Sequence, residues 1–311
     1  MKKKKVLIIG GYGFFGLWLT KSLSKENFEI SILDPKLNQK ILKKYKIKHY
    51  FKFSTTNYKK LKNAIDKDNW DYIINLSAWG GTGNGLLKAA DENFEKALYV
   101  NVKAFTNLLE EIKNSSKIKV IWSSSTVVFG EESYYKYKKV NEKSELNPKT
   151  NYGLTKVLAE KITKYYIKNY KMNIIGIRFP IIVGPGLNYR GVAAGISDMA
   201  LFSKKRKPIT IAMVSSSLDL IYIKDAVSII IKIMNSNSKL KCIYNCPSYR
   251  TNAKKISDSF NSENNKKYIS LKSLSTGATY PIMKSNLIKN DIKFSLSYDL
   301  SKTIKDWLKE L

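Results

Sequence analysis

A tyrosine and a lysine four residues apart, Tyr152 and Lys156, are the pair of side chains in this sequence best suited to proton chemistry. They open a stretch with helical spacing, and residues i and i+4 share one face of a helix. An ammonium group beside a phenol stabilises the phenolate, so Lys156 is expected to lower the pKa of Tyr152 from its usual value of ~10. Such a tyrosine can take a proton from a substrate hydroxyl as hydride leaves the carbon. With 20 tyrosines in the chain, the spacing also arises by chance, so the surrounding sequence has to decide.

A glycine-rich turn near the start of the chain has the spacing of a phosphate-binding loop. Gly10, Gly13 and Gly16 lie between an apolar stretch and a helical pattern. Glycine permits the tight turn and a close approach to a pyrophosphate, and the following helix offers free N–H groups at its positive end. Asp34 follows Gly16 by 18 residues, at the end of the second apolar stretch. An acid here binds the adenosine ribose and repels a 2′-phosphate, and the only cation close behind it is Lys36, so the pattern favours NAD over NADP.

Strands and helices alternate through the first 180 residues. The expected strands are Val6–Ile9, Glu29–Leu33, Tyr72–Leu76, Val120–Ser123, Ile174–Phe179 and, later, Leu218–Ile223. The expected helices are Phe14–Ser24, Leu61–Ile65, Phe94–Lys113, Tyr152–Lys171 and Ala226–Met234. Continuous Val/Ile/Leu strands between helices predict an α/β fold, in which a parallel sheet is covered on both faces. We expect residues 1–180, with 211–240 returning, to form a dinucleotide-binding domain, and 181–210 with 241–311 to form a smaller substrate-binding region.

Composition narrows the class of protein. Hydrophobic residues make up 43% of the 311, enough for a packed core, and no apolar run reaches the ~18 residues of a membrane helix. The apolar segment after the first lysines is too short for a signal peptide, so we expect a cytoplasmic protein with no membrane partner. The two cysteines and the single histidine, Cys242, Cys246 and His49, predict no metal site.

The formal charge of +30 raises the possibility of nucleic-acid binding. Only four of the 55 basic residues are arginines, although base readout and bidentate phosphate contacts favour arginine. The lysines are also spread along the chain instead of being gathered in one arm. We therefore expect a solvated, lysine-coated surface and no nucleic-acid partner.

A serine-rich strand end, Ser123–Gly130, precedes the Tyr-Lys pair and completes a recognisable order of motifs. Glycine turn, serine-rich segment and Tyr-x-x-x-Lys in this order resemble the extended short-chain dehydrogenase/reductases. More narrowly, they resemble the NAD-dependent nucleotide-sugar epimerase/dehydratase family. Further segments similar to that family are Tyr99–Glu110, Arg178–Gly186, Asp219–Ala226 and Tyr244–Asn245.

The resemblance implies a Rossmann-type doubly wound parallel sheet with a smaller C-terminal substrate-binding domain, and NAD as the cofactor. It implies that Ser125 hydrogen-bonds the reacting sugar oxygen, that Tyr152 is the acid/base, and that Lys156 binds the nicotinamide ribose. Asn101 would support the active-site backbone. The positions implied in cofactor binding are Gly10, Gly13, Phe14, Phe15, Gly16, Asp34, Leu76, Ser77, Ala78, Asn101, Ser123, Tyr152, Lys156, Phe179 and Pro180.

Departures from the family pattern limit the reaction. The sugar 4,6-dehydratases carry an Asp-Glu pair after the serine or threonine, whereas this chain has Thr126 and Val127. Water elimination needs such a second acid and base, so dehydration is not expected. The cysteine that the fucose-synthase type of reductase carries beside the serine is also absent.

Other departures concern the nucleotide. Leu218 stands where the family usually has a diphosphate-binding arginine, and a second arginine is missing near Leu274–Gly277. Arg190, Arg206, Arg250 or local lysines are the candidates to replace them. The expected substrate-binding positions are Ser125, Thr126, Arg190 and Arg250. In place of the family's adenine-contacting aspartate stand Ser54 and Thr55.

The sequence therefore predicts hydride transfer between NAD and carbon 4 of a nucleotide-activated sugar, by a 4-epimerase or a 4-dehydrogenase. Surface or capsular polysaccharide biosynthesis is the setting that family analogy suggests. A 4-keto reductase and a non-catalytic NAD-bound sensor or scaffold are the alternatives. The two long helices match the pair through which many family members form a four-helix bundle, so a homodimer is expected.

Overall fold

Seven parallel strands form the main sheet in a computed structural model that describes residues 3–36, 39–80, 83, 85–115, 117–188, 191, 193–274 and 276–311. The order across the sheet places the first strand third from one edge, and the chain winds outward from it in both directions. The strands, in chain order, are β1 (Lys4–Ile9), β2 (Phe28–Leu33), β3 (Tyr50–Phe51), β4 (Tyr72–Asn75), β5 (Lys119–Ser125), β6 (Lys139–Val140), β7 (Asn173–Phe179), β8 (Ile181–Val183), β9 (Ile209–Val214), β10 (Leu218–Tyr222), β11 (Ile243–Asn245), β12 (Tyr249–Thr251), β13 (Ile269–Leu274) and β14 (Ile282–Met283). The main sheet has the order β3-β2-β1-β4-β5-β7-β11.

Helices cover both faces of this sheet. In chain order, the helices of the described residues are α1 (Phe14–Leu23), α2 (Gln39–Lys44), α3 (Tyr58–Ile65), α4 (Leu86–Glu92), α5 (Phe94–Leu98), α6 (Ala104–Ile112), α7 (Asn151–Tyr170), α8 (Ala194–Lys205), α9 (Ile223–Asn235), α10 (Ala253–Glu263), α11 (Asn286–Asp291) and α12 (Leu300–Glu310). None of the helices within the described ranges is long and apolar enough to cross a membrane.

The alternating directions of the side chains of β1, an interior strand of the sheet, explain why helices pack on both faces. Successive side chains of a strand point to opposite faces. Val6 and Ile8 of β1 pack in one buried cluster with residues of α1 and α9, and Leu7 and Ile9 pack in a second cluster with residues of α3, α6 and α7. Both sides of β1 are apolar because each side packs against helices. The predicted doubly wound α/β fold is confirmed.

The helix expected over residues 94–113 has an irregular centre. Between α5 and α6, the segment Tyr99–Lys103 forms a π-helical turn, in which one residue is added to the helical repeat. Asn101 lies in this turn and is buried. Short π-helical turns inside α-helices are frequent at functional sites, and this one places a buried amide beside the active-site loops, as described below.

Smaller sheets follow the main one. β10 pairs with β8 and with β12, β9 pairs with β13, and β6 pairs with β14. Two segments differ from the expected division of the chain. β11 belongs to the main sheet, paired with β7, although 241–311 was expected in the substrate-binding region. β9 pairs with β13 and does not return to the main sheet. β11 is wholly buried, so the end of the main sheet next to β7 gains its last strand from a late part of the chain.

Candidate active site

A cavity of about 1100 Å³ opens at the carboxyl ends of β1, β2, β4 and β5. In doubly wound sheets, ligands bind at this edge, where the direction of winding changes on either side of the first strand. The volume exceeds the roughly 300–1,000 Å³ typical of pockets for one drug-sized molecule, so the cavity has room for a cofactor and a second ligand.

The glycine turn forms one end of the cavity and is built for close approach. Gly10 has φ +76°, a conformation that favours glycine. A Cβ at Gly16 would lie 2.5 Å from the carbonyl oxygen of Gly10, so α1 can pack against the turn only if position 16 is glycine. α1 begins at Phe14, directly after Gly13, and the amides of a helix's first turn have no partners within the helix. The turn therefore offers an anion a set of N–H groups at the positive end of α1.

Asp34 follows β2 on the same side of the cavity and is buried, at 7% exposure. Its two carboxylate oxygens accept hydrogen bonds from the backbone amides of Tyr12 (3.0 Å) and Lys36 (2.9 Å). Burial raises the pKa of Asp34, and the two amides partly offset that rise. A fixed acidic oxygen pair at the end of β2 suits two ribose hydroxyls and opposes a phosphate.

The other end of the cavity holds the predicted catalytic residues. Ser125 ends β5, and Tyr152 lies in the first turn of α7, whose N-cap Thr150 accepts a hydrogen bond from the amide of Gly153 (3.0 Å). Both Ser125 and Tyr152 line the cavity. The ammonium of Lys156 lies 5.4 Å from the centroid of the Tyr152 ring.

Lys156 is almost fully buried, at 3% exposure. Its Nζ donates a hydrogen bond of 2.7 Å to the carbonyl oxygen of Ser123. Burial lowers its pKa to about 8, while the charge of Glu160, one turn later on α7, acts in the opposite direction. The ammonium therefore sits where its charge is costly and where a neighbouring phenol gains most from it.

Asn101 hydrogen-bonds both the loop after β4 and the helix α7. Its Oδ1 accepts a hydrogen bond from the amide of Trp79 (2.8 Å), and its Nδ2 donates to the hydroxyl of Thr155 (3.1 Å) on α7. The π-helical turn thus links the loop that lines the cavity to the helix that carries Tyr152. Asn101 does not itself line the cavity, which agrees with a supporting role.

The remaining predicted cofactor positions also lie together. Ser54 and Thr55, which stand in place of the family's aspartate, line the cavity near Asp34. Phe15 meets Phe179 edge-on, with ring centroids 5.2 Å apart. The predicted cofactor positions that line the cavity are Gly10, Gly13, Phe14, Phe15, Gly16, Asp34, Leu76, Ser77, Ala78, Ser123, Tyr152, Phe179 and Pro180.

Of the predicted substrate-binding residues, Ser125 and Thr126 line the cavity and Arg250 does not. Thr126 lines the cavity, and no hydrogen-bond partner is found for its buried hydroxyl among the described residues. Arg250 instead faces two carboxylates: its Nε and Nη2 contact Asp219 at 3.1 and 2.8 Å, and its Nη1 contacts Glu132 at 3.2 Å. Because these acids already neutralise it, Arg250 has little charge to offer a diphosphate. Arg190 lies outside the described residues.

Sequence reasoning missed part of the wall around Tyr152. Trp79, Leu86, Leu87 and Tyr280 pack in the apolar cluster that contains Tyr152, and all four line the cavity. Trp79 follows the predicted segment Leu76–Ala78 directly, so its position could have been anticipated. Tyr280 comes from a segment far along the chain and carries no local signal.

These residues fit NAD by their own chemistry. The glycine turn packs so closely on its own backbone that Gly16 admits no side chain, its first-turn amides suit a pyrophosphate, and the acid at the end of β2 suits an unphosphorylated ribose. NAD bound along this path would run from Ser54 and Asp34 to Phe179 and Tyr152.

Comparison with known proteins agrees with this geometry. The model of the "NAD dependent epimerase/dehydratase family" matches residues 6–246, more than half of the chain. A dTDP-D-glucose 4,6-dehydratase of Dictyostelium discoideum is 29% identical over 65% of this chain and 49% of its own length. UDP-glucuronate 4-epimerase 1 of Arabidopsis thaliana is 27% identical over 75% of this chain and 56% of its own. The chain thus spans about half the length of these relatives.

Among solved structures, L-threonine dehydrogenase from Clostridium difficile superposes with a TM-score of 0.84. That comparison covers 100% of this chain and 98% of the other, at 22% identity. At this identity the likeness shows a shared fold and nothing about the substrate.

Proposed function

The chain belongs to the NAD-dependent epimerase/dehydratase family, as its motifs indicated, and we propose that it transfers hydride between NAD and carbon 4 of a nucleotide-activated sugar. The observation that carries the proposal is that Ser125 and Tyr152 line one end of a cavity whose other end is the glycine turn, with the Lys156 ammonium buried 5.4 Å from the centroid of the Tyr152 ring. Carbon 4 is supported by the relatives, which are named as a 4,6-dehydratase and a 4-epimerase.

NAD, when bound, supplies the acceptor and donor of hydride. The chain's own residues handle the proton. Ser125 hydrogen-bonds the hydroxyl on carbon 4, and the Tyr152 phenolate takes its proton as the carbon–hydrogen bond breaks. Lys156 holds the nicotinamide ribose and stabilises the phenolate through its charge. The sugar becomes a 4-keto sugar, and the proton stays on Tyr152 until reduction or release.

The two positions after Ser125 carry no acid and base for the elimination of water. Thr126 and Val127 follow Ser125, and both line the cavity. A threonine hydroxyl has far too high a pKa to act as a base, and valine has no proton to exchange. The ketone therefore meets only the reduced cofactor or solvent. A 4-epimerase returns the hydride to the opposite face, whereas a 4-dehydrogenase releases the keto sugar.

Incubation with GDP-, UDP- and dTDP-sugars, followed by NMR and mass spectrometry, tests this proposal. We expect either the 4-epimer with no net NADH, or a 4-keto sugar with one NADH per product, and in both cases the hydroxyl on carbon 6 is retained. Tyr152→Phe is the matched inactive control. A product lighter by one water would contradict the proposal.

We further propose a homodimer through the helices α5–α6 and α7. Large side chains on these helices face solvent in the single chain: Tyr99 at 45%, Leu154 at 38% and Tyr165 at 56% exposure. Pairing of two copies as a four-helix bundle would cover them. Polysaccharide biosynthesis is the setting we propose, on family analogy alone.

A further inference from the structure

A buried ion pair lies one helical turn beyond Lys156. Glu160 on α7 and Arg178 on β7 are both 0% exposed. The two carboxylate oxygens of Glu160 accept hydrogen bonds from Nε (2.8 Å) and Nη2 (2.7 Å) of Arg178. Bidentate geometry of this kind fixes the direction of both side chains as well as their separation.

The same carboxylate also binds the strand that carries the active-site serine. The hydroxyl of Ser124 donates to Glu160 Oε1 at 2.8 Å. Ser124 is flanked by Ser123, whose carbonyl accepts from Lys156, and by Ser125, which lines the cavity. One carboxylate therefore joins α7, β5 and β7 at the level of the catalytic residues.

The network continues to the end of the main sheet. Arg178 Nη1 donates to Oδ1 of Asn245 on β11 at 3.2 Å, and Nδ2 of Asn245 donates to the carbonyl of Lys284 at 3.2 Å. Arg178 also lies over the ring of Phe129, 4.7 Å from its centroid. Every partner is buried or backbone; Ser124 also lines the cavity, whereas Glu160, Arg178 and Asn245 do not.

We propose that Glu160 is a positioning residue for catalysis, which sets Lys156 and Tyr152 against Ser123 and Ser125 by holding α7 to β5 and β7. A buried pair of charges is a poor source of stability, because desolvation offsets the attraction between them. Its position beside the reacting groups is better explained if the pair aligns α7 with β5 and β7.

The charge of Glu160 serves the same end. Two groups near the Lys156 ammonium belong to α7, namely Tyr152 and Glu160. Two others belong to β5, namely the ring of Trp122 and the carbonyl of Ser123. Arg178 on β7 is paired with Glu160. Glu160 is thus the acid that counters the burial of the Lys156 ammonium. Its removal should let Lys156 lose its proton at a lower pH.

The test uses a paired variant, Glu160→Met with Arg178→Met, because replacing both charges leaves neither one buried alone. Glu110→Gln is the control, since Glu110 on α6 binds Lys113 and Tyr166, the second of which lies on α7, and none of the three lines the cavity. We measure thermal unfolding, NAD affinity by calorimetry, and the pH dependence of urea unfolding. Lys156→Met identifies the part of that dependence that belongs to Lys156.

The paired variant is expected to fold, to bind NAD more weakly by about tenfold, by analogy with the loss of outer partners at metal sites, and to show the Lys156 transition at a lower pH, because Glu160 is the nearer of the two charges. A folded variant with unchanged affinity and an unchanged transition would overturn the proposal. If the paired variant does not fold, Glu160→Gln, which keeps the shape, is subjected to the same two measurements and the same criterion.

The inference rests on the proposed role of Lys156 and not on the identity of the sugar. If Lys156→Met leaves NAD affinity unchanged, the role of Lys156 fails. If that variant loses affinity and the Glu160 variants do not, only the positioning role fails.

Discussion

Replacement of Lys156 by methionine should stabilise the protein at neutral pH while disabling its chemistry. Burial lowers the pKa of Lys156 to about 8, against an ordinary value of 10.5. That difference of about 2.5 pH units corresponds to about 3 kcal/mol in the free energy of unfolding, since one pH unit is ~1.4 kcal/mol.

The sign follows from proton binding. Below pH 8 the lysine is protonated in both the folded and the unfolded chain, and the folded chain carries the full cost of the buried charge. Between pH 8 and 10.5 the unfolded chain binds a proton that the folded chain has released, so the free energy of unfolding rises with pH. Above 10.5 the cost is gone.

Methionine fills a similar volume and carries no charge, but it loses the hydrogen bond to the carbonyl of Ser123, which is worth about 1–2 kcal/mol. Lys156→Met should therefore be more stable than the parent by about 1–2 kcal/mol at pH 7 and less stable by a similar amount above pH 10.5.

Urea unfolding of both proteins at several pH values between 7 and 11 measures this difference. Lys164→Met on the exposed side of α7 is the control and should show no change with pH. A constant difference between the Lys156 variant and the parent across the whole range would refute the argument that Lys156 bears a buried charge.

Four further results are expected. Tyr152→Phe should slow reduction of bound NAD by the true sugar by on the order of 10², with NAD affinity little changed, as seen by stopped-flow absorbance. Asp34→Ala should reduce the preference for NAD over NADP by about tenfold in calorimetry, and an unchanged preference would argue against its contact with the ribose. Gly16→Ala should weaken NAD binding by more than about tenfold, since its Cβ would lie 2.6 Å from Cα of Gly11. Light scattering at micromolar concentration should give the mass of a dimer, and a monomer mass would contradict the bundle through α7.

Local patterns in the sequence were sufficient to predict the strands, the helices and the glycine turn of the nucleotide-binding half of the molecule. Few arrangements of layers bury a series of apolar strands that alternate with amphipathic helices. The glycine turn after the first strand then shows which edge of the sheet binds the ligand. The position of Asp34 follows from the same logic, because the end of β2 always adjoins the first turn.

The substrate half depends on pairings that no local pattern encodes. Arg250 was expected to bind the diphosphate, whereas in the structure it contacts Asp219 on β10 and Glu132, which lies more than 100 residues earlier in the chain. Tyr280 reaches the cavity from a segment without a regular element. The π-helical turn at Asn101 was also not anticipated, since the extra residue is set by a buried side chain and not by periodicity.

The central claim is that hydride passes from carbon 4 of the sugar to NAD while Tyr152 takes the proton. A nucleotide sugar labelled with deuterium at carbon 4, reacted with the NAD-loaded enzyme and followed by NMR, tests this directly. We predict that the label transfers to the cofactor, and that it is recovered either at carbon 4 of the epimer or in free NADH beside the 4-keto sugar. Loss of the label to solvent water, or a single turnover in which the sugar is converted and no deuterium is found on the cofactor at any time, would contradict the claim.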